Sequence, residues 1–155
     1  MTYANMATAQ AVGQSYSFES PVYDTKIILF PTTSSYSAVK NIDEAVKSII
    51  NKITEIEHLG DNWNGYSASP ISSSIIAEVK SMISQLKKIP EIFPTADGQL
   101  QLEYDKKDGS YLEMDISGQD FIDVFMIDKN GNEKEYRINK STTDINKTVE
   151  TFYGY

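Results

Sequence analysis

A chain of 155 residues with 40% hydrophobic and 23% charged residues is long and apolar enough to fold as one domain around its own core. The absence of cysteine excludes thiol catalysis, thiolate metal sites and disulfides. The 22 acidic residues outnumber the 14 basic ones, and the resulting net charge of −8 disfavours a protein that grips a nucleic-acid backbone and favours a basic partner.

An N-terminal arm is expected at residues 1–22, and a single α+β domain at residues 23–155. The first 18 residues hold no Lys or Arg and no continuous apolar run, so they lack the charged and hydrophobic parts of a secretory signal. Purely apolar runs reach only four residues, as at 27–30, whereas a helix that spans a bilayer needs roughly 20. These features predict a cytoplasmic protein with no membrane role.

The first elements predicted along the chain are a strand and a long helix. Residues 25–30 predict a β-strand that ends at Pro31, and residues 32–35 a loop. From Val39 to Leu59 hydrophobic side chains recur at steps of three and four residues. This spacing is typical of an amphipathic helix.

A second helix is predicted after Pro70. The serines from Ser72 to Ser74 are suitable capping residues, and the apolar side chains of residues 75–86 share one face until Pro90 ends the helix. The two apolar faces are expected to pack together and against a sheet.

The loop between these helices, residues 60–70, contains the only tryptophan of the chain. Its glycines and asparagines allow left-handed turns. Trp63 is expected to be at least half buried against the two helices and to have a structural role, whereas a solvated ring would make the loop a binding site. The residues of that alternative site are Asn62, Trp63, Asn64 and Tyr66.

Beyond residue 98 the hydrophobic period becomes two, which predicts strands. Two hairpins and a closing helix follow, with strands at 100–105, 111–116, 121–128 and 133–138 and the helix at 143–152. The third of these strands carries apolar residues on both faces, so it is expected to be central or covered on both sides. The predicted order is β-α-α-β-β-β-β-α, an α+β fold with a helical hairpin packed on an antiparallel four-stranded meander.

Side-chain alternation places acidic and aromatic residues on the sheet face that points away from the helices. This face is predicted to bind a basic partner through Glu103, Asp105, Tyr111, Glu113, Asp115, Phe121, Asp123, Phe125, Glu133 and Glu135, with Arg137 as its one base. Like charges across strands are destabilising, and aromatic side chains are common binding anchors. The N-terminal arm, with its Tyr3, Tyr16 and Phe18, is the second candidate surface.

Three other interpretations of this face stay open. In the first, the C-terminal helix or the arm covers the aromatic residues, and the carboxylates are merely solvated. Alternatively, the acid-x-acid spacing of Glu103, Asp105, Glu113 and Asp115 converges on Mg²⁺ and forms a nuclease site. The third is that the chain is a phage structural or self-assembling subunit.

The sequence contains no motif that by itself identifies a catalytic site. His58 is the only histidine and is expected to interact with the last carbonyl groups of the first helix rather than to act in a Ser-His-Asp relay. The glycine-rich nucleotide-binding motifs are absent from the sequence. We therefore expect no enzymatic activity, no metal and no cofactor.

Two segments resemble a scattered family of small uncharacterised bacterial and phage proteins. The family shares an N-W-[DN]-G-Y-x-A-x-P loop, matched at residues 62–70, and a P-T-x-D-G-x-[IL]-x-L-E motif, matched at residues 94–103. Asn64, Ser67 and Tyr104 stand where the family more often has Asp, Gly and Trp. The resemblance implies a small accessory protein of bacterial or mobile-element origin, such as an antitoxin-like or anti-defence inhibitor.

Overall fold

The computed structural model describes the backbone of residues 33–154 and the side-chain surroundings from residue 43. The predicted arm at 1–22 and the predicted strand at 25–30 lie outside the described residues. The elements are α1 (Thr33–Ile56), α2 (Ser73–Ile83), β1 (Glu91–Pro94), β2 (Leu100–Asp105), β3 (Tyr111–Ile116), β4 (Phe121–Ile127), β5 (Glu133–Asn139) and α3 (Thr142–Tyr153). None of the helices in these residues is both long and apolar enough to cross a membrane.

Helix α1 begins earlier and ends earlier than predicted. The predicted loop at 32–35 is wrong from Thr33 onwards, because Ser and Thr are well tolerated in the first turn of a helix, where the N–H groups have no partner within the helix. At the other end, the Leu59 N–H donates to the Ile56 carbonyl over 3.0 Å, a tightened turn that closes the helix before Leu59. The predicted role of His58 is confirmed, since its Nδ1 lies 2.6 Å from the Thr54 carbonyl oxygen.

Helix α2 starts as predicted but stops well before Pro90. Ser72 is the N-cap, and its side-chain oxygen accepts a hydrogen bond from the Ile75 N–H. After Ile83 the backbone is bound by Asn146 of α3, whose side chain accepts from the Lys87 N–H and donates to the Gln85 carbonyl over 2.9 and 3.1 Å. This contact, distant in sequence, replaces the helical hydrogen bonds.

The sheet has five strands rather than four, in the order β1-β2-β3-β4-β5, all antiparallel neighbours. The missing strand in the prediction is β1, which pairs Ile92 with Leu102 of β2. Only four residues long and ended by Pro94, it lacks a clear strand pattern. Proline is compatible with this position because β1 is an edge strand of the described sheet. The expectation that β4 is central or covered on both sides is met only in part: β4 lies between β3 and β5 and is not an edge strand, but the middle strand of the five is β3.

All three helices pack on one face of the sheet. Inward side chains of the strands form a single core with residues of α1, α2 and α3. Its fully buried members include Ile53, Ile76, Val79, Ile83, Ile92, Leu100, Leu102, Leu112, Met114, Ile116, Ile122 and Ile145. The predicted alternation and the α+β class are therefore confirmed, and α1 and α2 share the core as expected for the helical hairpin.

Candidate functional site

The outer face of the sheet carries none of the described helices. The interpretation in which the C-terminal helix covers the aromatic residues is wrong, because α3 buries Ile145, Val149 and Phe152 in the core on the opposite face. The register places all ten predicted partner-binding residues on this outer face. We call these ten residues the acidic face.

The register arranges the acidic face in rows that cross the strands. One row contains three glutamates and a phenylalanine, and β1 extends it by a further glutamate, to give Glu91, Glu103, Glu113, Phe125 and Glu135. The next row contains Phe93, Gln101, Asp115, Asp123 and Arg137. The sequence prediction missed Glu91 and Phe93 because it missed β1, although they alternate with the buried Ile92 between two prolines.

A tyrosine relieves part of the repulsion between the glutamates. Glu103 and Glu113 are direct cross-strand partners, a destabilising arrangement for like charges. The Tyr111 hydroxyl donates a hydrogen bond to Oε2 of Glu113 over 3.0 Å. Burial, followed by hydrogen bonds with both glutamates, raises the pKa of Tyr111, so the phenol stays protonated as a donor between the two carboxylates.

The single arginine of the outer face is already engaged. Arg137 Nε lies 2.7 Å from Oδ1 of its cross-strand partner Asp123. Its guanidinium also stacks over the Phe121 ring, 4.2 Å from the centroid. Arg137 therefore neutralises Asp123, and Lys52 of α1 lies 3.8 Å from Glu91 in the neighbouring row. No base of the described residues pairs with the other carboxylates of these two rows, which are Glu103, Glu113, Asp115 and Glu135.

Asp115 is the least compensated carboxylate of the acidic face. Its Oδ1 is buried, and no described donor reaches it. Burial, and then the neighbouring charges of Glu113 and Asp123, raise the pKa of Asp115 from 3.8 to about 6. At neutral pH the folded chain thus holds a partly desolvated negative charge with no partner, an arrangement that a cation can relieve.

An open depression surrounds this carboxylate. It has a volume of about 580 Å³ and is lined by Glu113, Asp115, Asp123, Val124, Phe125, Glu135, Tyr136 and Arg137. Carboxylates, two half-buried aromatic residues and Arg137 thus share its wall. This composition suits a long cationic side chain, whose apolar stem packs on Phe125 while its charged end meets the carboxylates.

The acid-x-acid repeats do not converge. In the antiparallel register Glu103 faces Glu113, but Asp105 faces Tyr111 and Asp115 faces Gln101, so the second carboxylates of the two strands diverge. Residues 43–154 contain no group of three or more His, Asp or Glu side chains placed to hold a metal ion. The converging site on which the Mg²⁺ nuclease hypothesis depends is therefore not formed by these four residues.

The asparagines of the loop at residues 60–70 have structural partners. Oδ1 of Asn62 accepts from the Ser67 N–H over 2.7 Å. Oδ1 of Asn64 accepts from the Tyr66 N–H and the Ala68 N–H over 2.7 and 3.2 Å. These hydrogen bonds hold the loop in a fixed shape, with Asn62 in the left-handed region at φ 59°.

The prediction for Trp63 is right in burial but wrong in location. The ring is partly buried, and its Nε1–H donates to the Ser69 carbonyl over 3.1 Å. Trp63 is not among the side chains packed on the core, so it stabilises its own loop rather than the helix pair. Tyr66, three residues on, is 88% exposed.

The two segments that carry the family resemblance contact each other. The Ser69 N–H donates to the Ala96 carbonyl over 2.8 Å. Gly98 approaches so closely that a Cβ on it would lie 3.1 Å from the Pro70 carbonyl oxygen. The loop at residues 60–70, the Trp63 loop, is therefore docked on the turn that precedes β2. The sequence patterns did not predict this contact between distant segments.

We expect different effects from the two aromatic residues of this loop. Trp63→Ala should lower the free energy of unfolding by about 2 kcal/mol, because a partly buried ring and its hydrogen bond are lost. Tyr66→Ala should change it by no more than about 0.5 kcal/mol, because the side chain is exposed. Urea unfolding followed by circular dichroism measures both. Equal stability of the two variants would contradict the structural role of Trp63.

Comparison of the chain with protein-family models, with curated proteins and with solved structures found no match. The resemblance of residues 62–70 and 94–103 to small bacterial and phage proteins stays a prediction. Function is therefore inferred from the side chains of the acidic face.

Proposed function

We propose that this chain is a non-catalytic protein-binding module that engages a basic partner through the acidic face. The observation that carries the proposal is Asp115, a half-buried carboxylate whose Oδ1 has no partner in the described residues, in a depression that other carboxylates, Phe125 and the already paired Arg137 also line. A Lys or Arg of a partner supplies the missing charge.

The layout of the acidic face favours binding over mere solubility. Charges kept for solubility are better dispersed, because clustered carboxylates repel each other across strands. Here Glu103 and Glu113 are direct partners, and Asp115 lies beside Asp123 in the register. Such a concentrated field speeds the approach of a basic protein, and half-buried aromatic rings between the charges provide anchors once it arrives.

The biological context of the proposal comes from the resemblance alone. It favours an antitoxin-like or anti-defence inhibitor, which acts by covering a basic surface of its target. An acidic sheet face suits that role, because complementary charge speeds association with a basic target. The expected location remains the cytoplasm.

Reversing charge on the acidic face tests the proposal. The variant Glu113→Lys, Asp115→Lys, Phe125→Ala should bind the partner captured from the native host about tenfold more weakly than the wild type, or lose it altogether, since it removes two carboxylates and the anchor between them. The measurement is capture from lysate, followed by titration of the purified partner at about 0.15 M salt.

The matched control is Asp43→Lys, Glu44→Lys. It changes the net charge by the same amount but lies on exposed positions of α1, away from the sheet. It should bind within about twofold of the wild type. If both variants retain the same partner with equal affinity, the acidic face is not the binding surface.

A further inference from the structure

Strand β5 is the longer free edge of the described sheet. It has seven residues and pairs only with β4, whereas the opposite edge strand, β1, has four residues and ends at Pro94. Most side chains of β5 are exposed. An edge strand of this length presents a row of unpaired backbone groups that an extended peptide can use.

The hydrogen-bond pattern identifies the free backbone groups. At the two ends of the β4–β5 ladder, Asp128 N–H donates to Asn132 and Lys140 N–H to Asp120, over 3.0 and 3.1 Å. Hydrogen-bonded pairs alternate with non-bonded pairs in an antiparallel ladder, so the bonded residues of β5 are the even-numbered ones. The N–H and C=O groups of Glu133, Glu135 and Arg137 therefore point away from β4, to the open side of the sheet.

A depression lies on each side of this edge. On the outer face it is the acidic depression around Asp115. On the helix side, a groove of about 250 Å³ between β5 and α3 is lined by Lys134, Tyr136, Ile138, Asp144, Lys147, Thr148 and Thr151. Tyr136 and Ile138 are only partly buried there, so α3 leaves the apolar side of β5 incompletely covered.

We propose that β5 binds an extended segment of the partner by strand addition, and that this segment alternates basic and apolar side chains. The inference rests on the proposed function and specifies the chemistry of its partner. Successive side chains of an added strand point to opposite faces, so every second one would lie beside the carboxylates of Glu133 and Glu135 on the outer face, and the others would meet Tyr136 and Ile138.

The charge of the chain selects against a second copy as the occupant. A copy of this protein carries a net charge of −8 and would bring the same carboxylates to the edge. The edge also lies beside the acidic depression, where only a basic segment gains from the field.

Amide exchange of the full chain tests the inference directly. The probe is a synthetic peptide as long as β5 with alternating Lys and Val; the controls are a peptide of the same composition with Lys and Val in separate blocks and a peptide of alternating Glu and Val. At saturation the alternating Lys peptide should slow exchange of the Glu133, Glu135 and Arg137 amides about tenfold, because it occupies their hydrogen bonds. The bonded amides of Lys134 and Tyr136 should change little, and the control peptides should bind weakly or not at all.

A pair of variants separates the backbone from the side chain. Glu135→Pro and Glu135→Val both lose the carboxylate, but only proline removes the outward N–H. Glu135→Pro should bind the alternating Lys peptide about tenfold more weakly than Glu135→Val. If Glu135→Pro fails to fold, the exchange pattern of the wild type decides alone.

Three results would overturn strand addition. If the peptide binds without slowing the odd-numbered amides, and the charge-reversed acidic face loses it, the proposed function stands and this inference fails. If those amides are instead protected at high protein concentration without peptide, the occupant is a second copy. If the alternating Lys peptide does not bind even at low salt, both the inference and the basic specificity of the acidic face are contradicted.

Discussion

Replacing Gly98 by alanine is expected to lower the free energy of unfolding by about 3 kcal/mol, the largest effect we predict for a single added methyl group. Two costs add at this position. The backbone has φ 80°, in the left-handed region that side chains with a Cβ disfavour, and the new Cβ would lie 3.1 Å from the Pro70 carbonyl oxygen. Because the obstacle is backbone, the Trp63 loop itself has to move.

Gly131→Ala is the matched control for this substitution. Gly131 has φ 81°, but a Cβ there would meet nothing within 4 Å, so the variant measures the backbone cost alone, about 1 kcal/mol. Urea unfolding gives both values. The Trp63 emission should shift in Gly98→Ala and not in Gly131→Ala, because Ser69, next to Pro70, holds the indole N–H. Equal losses in the two variants would mean that the loop contact contributes nothing.

Local patterns predicted the parts of the fold that local forces determine. The cap at Ser72 and the hairpin around Gly109 depend on residues near each other in the chain, and both were predicted from the sequence. The register of the hairpins follows because a slip by one residue would turn Leu102 and Met114 to solvent. The composition of the acidic face was predictable for the same reason.

Contacts between distant segments account for the errors. Helix α2 ends at Ile83 because Asn146, more than 60 residues away, binds the backbone that follows. Strand β1 exists because Ile92 has a partner in Leu102, whereas its own four residues carry a weak pattern. Trp63 was placed against the helices since large rings usually join the core, but its N–H is satisfied within the loop.

Sequence patterns also could not show which carboxylates of the acidic face are paired with a base and which are not. Alternation places Asp115 and Asp123 on the same face, but it does not say which of them Arg137 will pair with. That choice depends on the β4–β5 register, which sets Arg137 opposite Asp123. Asp115 lies on β3, one strand farther from Arg137. The candidate site could thus be listed from the sequence, whereas its centre required the structure.

Neutralising Asp115 should stabilise the protein while weakening its function. At about pH 7 we expect Asp115→Asn to raise the free energy of unfolding by about 1 to 2 kcal/mol, a value reduced from the full pKa shift because solvent screens a half-buried carboxyl. The sign follows from the direction of the shift. Burial and like charges raise the pKa of Asp115 from 3.8 to about 6 in the folded state, so folding opposes its ionisation.

The stability that Asp115→Asn gains over the wild type should change with pH only between the unfolded and folded pKa values of Asp115. Below about pH 4 the carboxyl is protonated in both folded and unfolded chains, and the variant and wild type should differ little. Between about pH 4 and pH 6 the wild type should lose stability relative to Asp115→Asn, and above that range the difference should be constant. Asp128→Asn is the control: hydrogen bonds, first of all with the Asn132 side chain, lower the pKa of Asp128 in the folded state, so its neutralisation should give no gain at any pH.

The same substitution should weaken binding of a basic partner about tenfold at neutral pH, because the carboxylate whose charge is uncompensated in the free protein is the one that a partner's cation relieves. A side chain that lowers stability and raises affinity is a mark of a surface kept for binding. Thermal unfolding across pH and titration of the captured partner, carried out on the same two variants, measure both effects. If Asp115→Asn is more stable and binds equally well, the strained carboxylate is not part of the binding surface, and the acidic face loses its strongest support.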